Sequence, residues 1–454
     1  MQTTKMVIRD LEQFTPRLDS IKGDMPRAVI GEKYSYQMVE DGQKCTHFPV
    51  LLNSDGSPWN HGTLYLLSKL ELTNPLSPKT LDSIAIDLVN FKNFIDIQEL
   101  NYTEIPKRKF NRPTYQYRAH LQDLISSGHV SSSTASRRMS SIINFYRWLA
   151  KQHDCHFEYS PWSEKDMYIR FSDHAGFTQM KKIKTTDLKV NVQRQGESCR
   201  KHIQDGGKLR PLDKAEQERI LKALVSINNP EMKLAFLIAL TTGARIQTVF
   251  TLKRKDFLTD LKDKEHSFTL KVGRGTGIDT KYEKQMCIYI PNWLHKLIKT
   301  YSLSERCKRR IKKASKNFAL VNEDYLFLTQ AGWPYYMRSN DPNISKFRNP
   351  PRGGAVRQFI KAQLIPELCK TGDAFPFSFH DLRATYGINL LEEKLCSIED
   401  GRDKLFDVLM LIRERMGHSS IASTERYLNY RKQNEFIVNA QSKFEKFINT
   451  MVDF

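Results

Sequence analysis

No two cysteines in this 454-residue chain have C-x-x-C spacing. The seven (Cys45, Cys155, Cys199, Cys287, Cys307, Cys369, Cys396) are odd in number and scattered, which argues against a disulfide scaffold or a finger-type zinc site and reads as reduced thiols. Long apolar runs are missing too. Nothing approaches the roughly 18 residues of a membrane span, and the opening MQTTKMVIRDLEQF lacks the apolar core of a signal peptide. The expectation is a cytoplasmic protein with no membrane association. There is no internal repeat or low-complexity tract. The glycine-rich GRGTGIDT (273–280) has neither a following Lys-Ser/Thr nor a βαβ setting, and the histidines and carboxylates show no metal-ligand spacing. Neither nucleotide, metal nor other cofactor is expected. The last deficit is in acidic residues, 51 against 71 Lys+Arg, a formal charge of +20. That excess calls for a polyanionic partner, and with no apolar anchor beside it nucleic acid fits better than a membrane.

What is present reads as a soluble, folded, multidomain chain. The hydrophobic fraction is 40%, the charged fraction 27% and the aromatic fraction 11%, against wholesale disorder. Residues 1–74 mix short apolar runs such as HFPVLL (47–52) with the turn-rich NSDGSPWNHG (53–62), and suggest an appended module of unassigned role. Over 75–162 the pattern becomes helical. SPKTLDSIAIDLVNFKNFI sets Leu81, Ile84, Leu88, Phe91 and Ile95 on one face after a Ser/Pro start signal. SSSTASRRMSSIINFYRWLAKQ (131–152) does the same with Met139, Ile142, Ile143, Tyr146 and Leu149. The pair Arg137 and Arg138 near its start suits phosphate, or is simply a solvated basic face. The polar, basic stretch 163–210, ending in Gly-Gly, reads as an inter-domain linker. From 211 to 454 helical patterns dominate, interrupted by SFTLKV (267–272) and QMCIYIP (285–291), two strands of an expected hairpin. KRRIKKASK (308–316) is either DNA-facing or solvated.

Three segments carry the chemistry. EMKLAFLIALTTGARIQTVFTL (231–252) reads as one buried helix, yet it delivers Arg245, and a buried guanidinium needs an anion. FPFSFHDLRATYGINLL (375–391) puts His380 and Arg383 three apart, on one helix face. RERMGHSSIASTERYLNY (413–430) follows a Gly-His pair with Tyr427 nine residues on. Each alone has an ordinary structural explanation, such as an internal ion pair or a satisfied core histidine.

Together, TTGARIQTVFTL, SFHDLRATYG and MGHSSIASTERY resemble the tyrosine recombinase (phage integrase) family over about 205 to 430. The helical unit from about 75 to 160 is similar to that family's core-binding domain. The resemblance implies a mainly α-helical enzyme with a small β-hairpin, acting on double-stranded DNA as a homo-tetramer on two sites, with accessory DNA-bending or directionality proteins possible. It implies that Arg245 and Arg383 clamp the scissile phosphate, that His380 and His418 assist, that Lys281 is the hairpin lysine with Lys284 as runner-up, and that Tyr427 is the nucleophile. Thr248 departs from the family, which usually has glutamate three residues after the first arginine. The implied activity is site-specific recombination through a 3′-phosphotyrosyl link, integrating or excising a mobile element. The alternatives are a type IB-like topoisomerase and a non-catalytic DNA-binding regulator. At the C-terminus, Phe436, Ala440, Phe444 and Phe447 are expected on one helix face, docked in cis or on a neighbour.

These residue types suit the chemistry. Two planar guanidiniums can neutralise the charge gathering on non-bridging phosphate oxygens. A phenol of ordinary pKa about 10 needs help to attack near neutrality, and a histidine in an arginine field provides it. The departing sugar oxygen needs a proton, which a mobile ammonium can deliver.

Overall fold

The computed structural model describes residues 2–11, 14–16, 36–38, 45–70, 76–152, 155–172, 178–190, 202–259, 267–317, 325–399 and 404–432, with 445 and 448. Phe436, Ala440, Phe444 and Phe447, the expected face of the C-terminal tail, lie outside the described residues. The chain divides into two compact units, Met1–Arg194 and Gln195–Phe454. It is mainly helical, with small antiparallel sheets. No described helix is long and apolar enough to cross a membrane.

The first unit has strands β1 (Thr4–Leu11), β2 (Phe14–Pro16), β3 (Tyr36–Met38), β4 (Cys45–Leu52), β5 (Glu164–Ser172) and β6 (Thr178–Thr186), paired antiparallel as β1–β4, β2–β3 and β5–β6. Its helices are α1 (Asn60–Leu67), α2 (Pro78–Ile97), α3 (Pro113–Ser126) and α4 (Ser132–Leu149). Local chemistry sets the helix starts. The Ser77 side chain accepts from the Thr80 N–H and Pro78 takes the first helical position, where its missing N–H costs nothing. Ser131 caps α4 in the same way. The expected apolar stripes then meet: Leu81, Leu88, Phe91 and Ile95 of α2 are buried with Met139, Ile142, Tyr146 and Leu149 of α4. Phe48, Leu51, Trp59, Tyr65 and Leu66 join the same core, so β4 and α1 are integral to the helical unit. The β5–β6 ladder runs through the first part of the stretch that reads as a linker. Its exposed Tyr168, Met180, Lys182 and Lys184 leave no apolar alternation to announce it.

The second unit carries strands β7 (Ile203–Gln204), β8 (Lys208–Leu209), β9 (Ser267–Val272) and β10 (Met286–Pro291), paired β7–β8 and β9–β10. Its helices are α5 (Lys214–Ile227), α6 (Pro230–Thr242), α7 (Ile246–Phe250), α8 (Asn292–Leu303), α9 (Glu305–Asn317), α10 (Gly354–Phe359), α11 (Ile365–Cys369), α12 (Asp381–Glu399), α13 (Leu405–Met416) and α14 (421–432). The expected hairpin forms, with Met286 opposite Val272 and Pro291 opposite Ser267. The run KRRIKKASK lies on α9, where Cys307, Arg310 and Ala314 face inward and Lys308, Arg309, Lys312, Lys313 and Lys316 face out. One expectation is corrected: 231–252 is not a single helix. It breaks at Gly243, which adopts φ +66 as the left-handed cap of α6. A Cβ there would also stand 2.5 Å from the Tyr386 ring, so the chain can turn at this point only with glycine.

A buried ionic cluster fastens α6 to α9. Glu231 is fully buried and accepts from Arg306 Nε at 2.8 Å, Arg306 Nη2 at 2.9 Å and Tyr301 Oη at 3.0 Å, with Arg310 Nη1 3.1 Å away. Removing one partner of such a cluster leaves buried charge uncompensated. Glu231→Ala is expected to lower the unfolding free energy by about 3 kcal/mol, measured by urea unfolding followed by circular dichroism. A change within about 0.5 kcal/mol, typical of a surface substitution, would refute this role.

Candidate active site

The site is assembled from chain breaks in the second unit. Arg245 is the residue immediately before α7, two positions beyond the Gly243 cap. His418 follows Gly417, whose φ of +62 ends α13 in the left-handed conformation. Both motif glycines therefore do one job: each stops a helix so that the next polar side chain leaves the helical course. Arg383 lies in the first turn of α12, and His380 immediately precedes that helix instead of sharing a face within it. Tyr427 projects from α14 and is fully buried.

Arg383 holds the site together. It is buried, and its guanidinium donates from Nη1 to the Gly243 carbonyl at 2.8 Å and from Nη2 to the Met416 carbonyl at 2.6 Å. These are carbonyls at the C-terminal ends of α6 and α13, the negative ends of helix dipoles, where a fixed cation is favoured. Its third donor, Nε, reaches Asp205 Oδ2 at 2.7 Å.

Asp205 is a residue that the motifs did not single out. It occupies the tip between β7 and β8, followed by Gly206 and Gly207, and its carboxylate is the hub of the array. Oδ1 faces Arg245 Nη2 at 3.3 Å. Oδ2 receives Arg383 Nε, lies 3.2 Å from His418 Nε2, and accepts from Tyr427 Oη at 3.1 Å. A carboxylate at Nε2 fixes the histidine tautomer: the proton sits on Nε2, and Nδ1 accepts from the Thr424 hydroxyl at 3.0 Å. Four side chains expected from sequence thus converge on one carboxylate.

The electrostatics follow from burial and these contacts. Burial alone would raise the Asp205 carboxyl, but the His418 hydrogen bond and the Arg383 charge outweigh it and hold the group far below the usual carboxylate range. A folded pKa below the unfolded value of about 3.9 means that its stabilisation is present above that pH and is lost as pH falls further. Burial, then the Asp205 charge, pushes the Tyr427 phenol well above its ordinary value despite Arg383 and Arg245. His380 is pushed down by burial and by Arg245 and Arg383, and His418 by burial against the opposing pull of Asp205. Burial and the Arg383 charge lower Arg245; two guanidiniums facing one carboxylate leave excess positive charge.

The hairpin lysines differ in setting. Lys281 opens the short 3₁₀ turn Lys281–Glu283, 5.1 Å from the Tyr282 ring, and its Nζ would lie 3.1 Å from a Cβ on Gly206. Lys284 donates to the Gly417 carbonyl at 3.0 Å and the His418 carbonyl at 3.1 Å. Burial and the charges of Arg413, Arg245 and Arg383 lower its pKa. Lys271 is exposed on β9. Thr248 donates to the Asp279 carbonyl at 2.8 Å, while Asp205 supplies the carboxylate beside Arg245. Arg137 and Arg138 belong to the first unit; Arg137 forms an ion pair with buried Asp87, which also accepts from Ser141 at 2.8 Å.

Residues 210–434 match the model of the phage integrase family. A search of curated proteins found no match. Among solved structures, the chain is similar to the XerH site-specific recombinase in a post-cleavage complex with palindromic difH substrate, at 15% identity and TM-score 0.47, covering 85% of this chain and 89% of that one. It is similar to the Tn1549 transposon integrase in complex with circular intermediate DNA, at 15% identity and TM-score 0.44, covering 81% and 94%. A lambda integrase dimer bound to a core site gives 17% identity and TM-score 0.40, covering 80% and 93%. The stretch bearing Arg245, His380, Arg383, His418 and Tyr427 is thus a phage integrase family domain.

Proposed function

We propose that the chain is a site-specific DNA recombinase that cuts and rejoins double-stranded DNA through a 3′-phosphotyrosyl link on Tyr427, integrating or excising a mobile element. The observation that carries this reading is the convergence of Arg245, Arg383, His418 and Tyr427 on one anion position. Put a phosphodiester there, and the guanidiniums meet its non-bridging oxygens with the Tyr427 hydroxyl beside it, on the reacting group. The Tyr427 oxygen forms a bond to phosphorus as the bond to the 5′ oxygen breaks. The phenol proton passes to neutral His380, and a hairpin lysine protonates the leaving 5′ oxygen. The covalent link conserves the diester's energy, so another 5′ hydroxyl reverses the step without ATP. Four protomers on two duplexes, aided by accessory proteins, are the proposed working assembly.

The test is covalent capture on nicked suicide substrates drawn from the DNA flanking the gene. The expected product survives denaturant and is removed by protease. No such adduct on any boundary sequence that the protein binds would refute the reading. A pH profile tests the base. Because the His380 pKa is depressed, its neutral form persists below the ordinary imidazole value of 6.5, so capture should hold its rate as pH falls through that value and drop only below it. A half-maximal point above 6.5 that disappears in His380→Gln would contradict the proposed environment of this base.

A further inference from the structure

Asp205 does more than orient Arg245. One carboxylate oxygen is shared by Arg383, His418 and Tyr427, and the other faces Arg245, which is how these groups would meet two oxygens of a phosphate. We propose that the Asp205–Gly207 turn is a built-in occupant of the phosphate site: without DNA its carboxylate stands in for the scissile phosphodiester, and the incoming phosphate displaces it. The identity of that incoming anion rests on the recombinase reading; the occupancy itself does not.

The hairpin is built for this role. Ile203 and Leu209 are buried in one cluster with Ala384, Ile388, Met416 and Tyr427, so the strands are anchored to the elements that carry the reacting groups. The Arg426 guanidinium donates to the Gln204 carbonyl at 2.7 Å, and the Arg210 N–H donates to Asp381 Oδ1 at 2.8 Å. Between these fastenings stand only two-residue strands and a tip of Asp205, Gly206 and Gly207, with Gly206 at φ +72. A turn of this composition can swing without unseating its anchors. The occupant can be displaced because its replacement does not arrive alone. A phosphodiester carries one negative charge, as the carboxylate does, but it comes with a duplex whose other phosphates add backbone contacts and counterion release, and it gathers further charge on its non-bridging oxygens only as the phosphoryl group is transferred. While Asp205 is in place, Tyr427 is hydrogen-bonded to a carboxylate and its reaction centre is filled. The enzyme is therefore shut until a duplex is bound.

The experiment compares wild type, Asp205→Ala and the isosteric Asp205→Asn as full-length chains. Thermal unfolding is recorded with inorganic phosphate against sodium chloride at equal ionic strength. Both variants should lose stability in chloride and regain it as phosphate fills the vacated site, while wild type shows no phosphate-specific rise. Equal phosphate stabilisation of all three would mean the site is open in wild type. Variants that phosphate does not stabilise, or that stay unfolded in it, would make the carboxylate a structural strut. Either result overturns the proposal. In covalent capture at subsaturating DNA, the variants should react severalfold faster than wild type. A rate below one-tenth of wild type at saturating DNA would instead make Asp205 a participant or positioning residue. The phosphate arm requires no DNA cleavage, so a chain that never forms an adduct could still pass it, and an active recombinase could fail it.

Discussion

Tyr427→Phe is expected to bind DNA as wild type does and to form no covalent adduct at all. The structure allows a clean separation of these two effects. The phenol ring fills a buried position against His418, with ring centroids 5.6 Å apart, and packs in the cluster that holds Met416 and Ile388. Phenylalanine keeps that packing. The lost hydroxyl donates one hydrogen bond, to Asp205 Oδ2, worth about 1 kcal/mol net, and Asp205 keeps its arginine and histidine partners, so no buried charge is stranded. Binding is then carried by counterion release along the basic surface, which the substitution does not touch. The half-buried Tyr430, against the same cluster, is the control. On a nicked suicide substrate, an adduct that persists in Tyr427→Phe and vanishes in Tyr430→Phe would move the nucleophile to Tyr430.

How far the sequence could be read follows from where its information is local. The stripes of α2 and α4, their serine caps and the β9–β10 hairpin were legible because period and punctuation reside in the elements themselves. Arg245, His380, Arg383, His418 and Tyr427 were legible as motifs, and the structure brings four of them to one carboxylate, with His380 within the field of both arginines. The stretch 231–252 reads as one helix because its apolar run continues through Gly243; only the left-handed turn separates α6 from Arg245. Asp205 is illegible for the opposite reason. Its setting, IQDGGKL, contains an Asp-Gly turn signal between two short runs, but the strands are too short and the flanks too basic to stand out from a linker. Its role depends on partners at 245, 383, 418 and 427, separations that no local pattern encodes. The β5–β6 ladder is hidden likewise, because its exposed positions mix apolar Tyr168 and Met180 with Lys182 and Lys184 and so show no alternation.

The second large effect concerns the proton for the leaving group, and it turns on which lysine can reach it. Lys281 is the choice that the T-K sequence before β10 favours, and its ammonium stands beside the Asp205–Gly206 tip, next to where a phosphate would sit. Lys284 is engaged with the Gly417 and His418 carbonyls, and its pKa is lowered by burial and neighbouring arginines, which would make it a readier proton donor than an ordinary lysine if it turned toward the phosphate. If Lys281 is the general acid, Lys281→Ala should slow cleavage by about 10² to 10⁴ with little change in affinity. Loss of a mere phosphate contact would weaken binding and reduce the salt slope by about one, leaving chemistry at saturation nearly unchanged. A substrate with sulfur in place of the bridging 5′ oxygen separates proton donation from charge stabilisation, because a thiolate departs without a proton. It should restore cleavage to Lys281→Ala and do nothing for Arg245→Ala or Arg383→Ala, whose defect lies on the non-bridging oxygens. Restoration of Lys284→Ala instead would transfer the role to the lysine held at the end of α13. It would also require that ammonium to leave two backbone carbonyls before each cleavage, so Lys284 would then gate the chemistry as well as supply its proton.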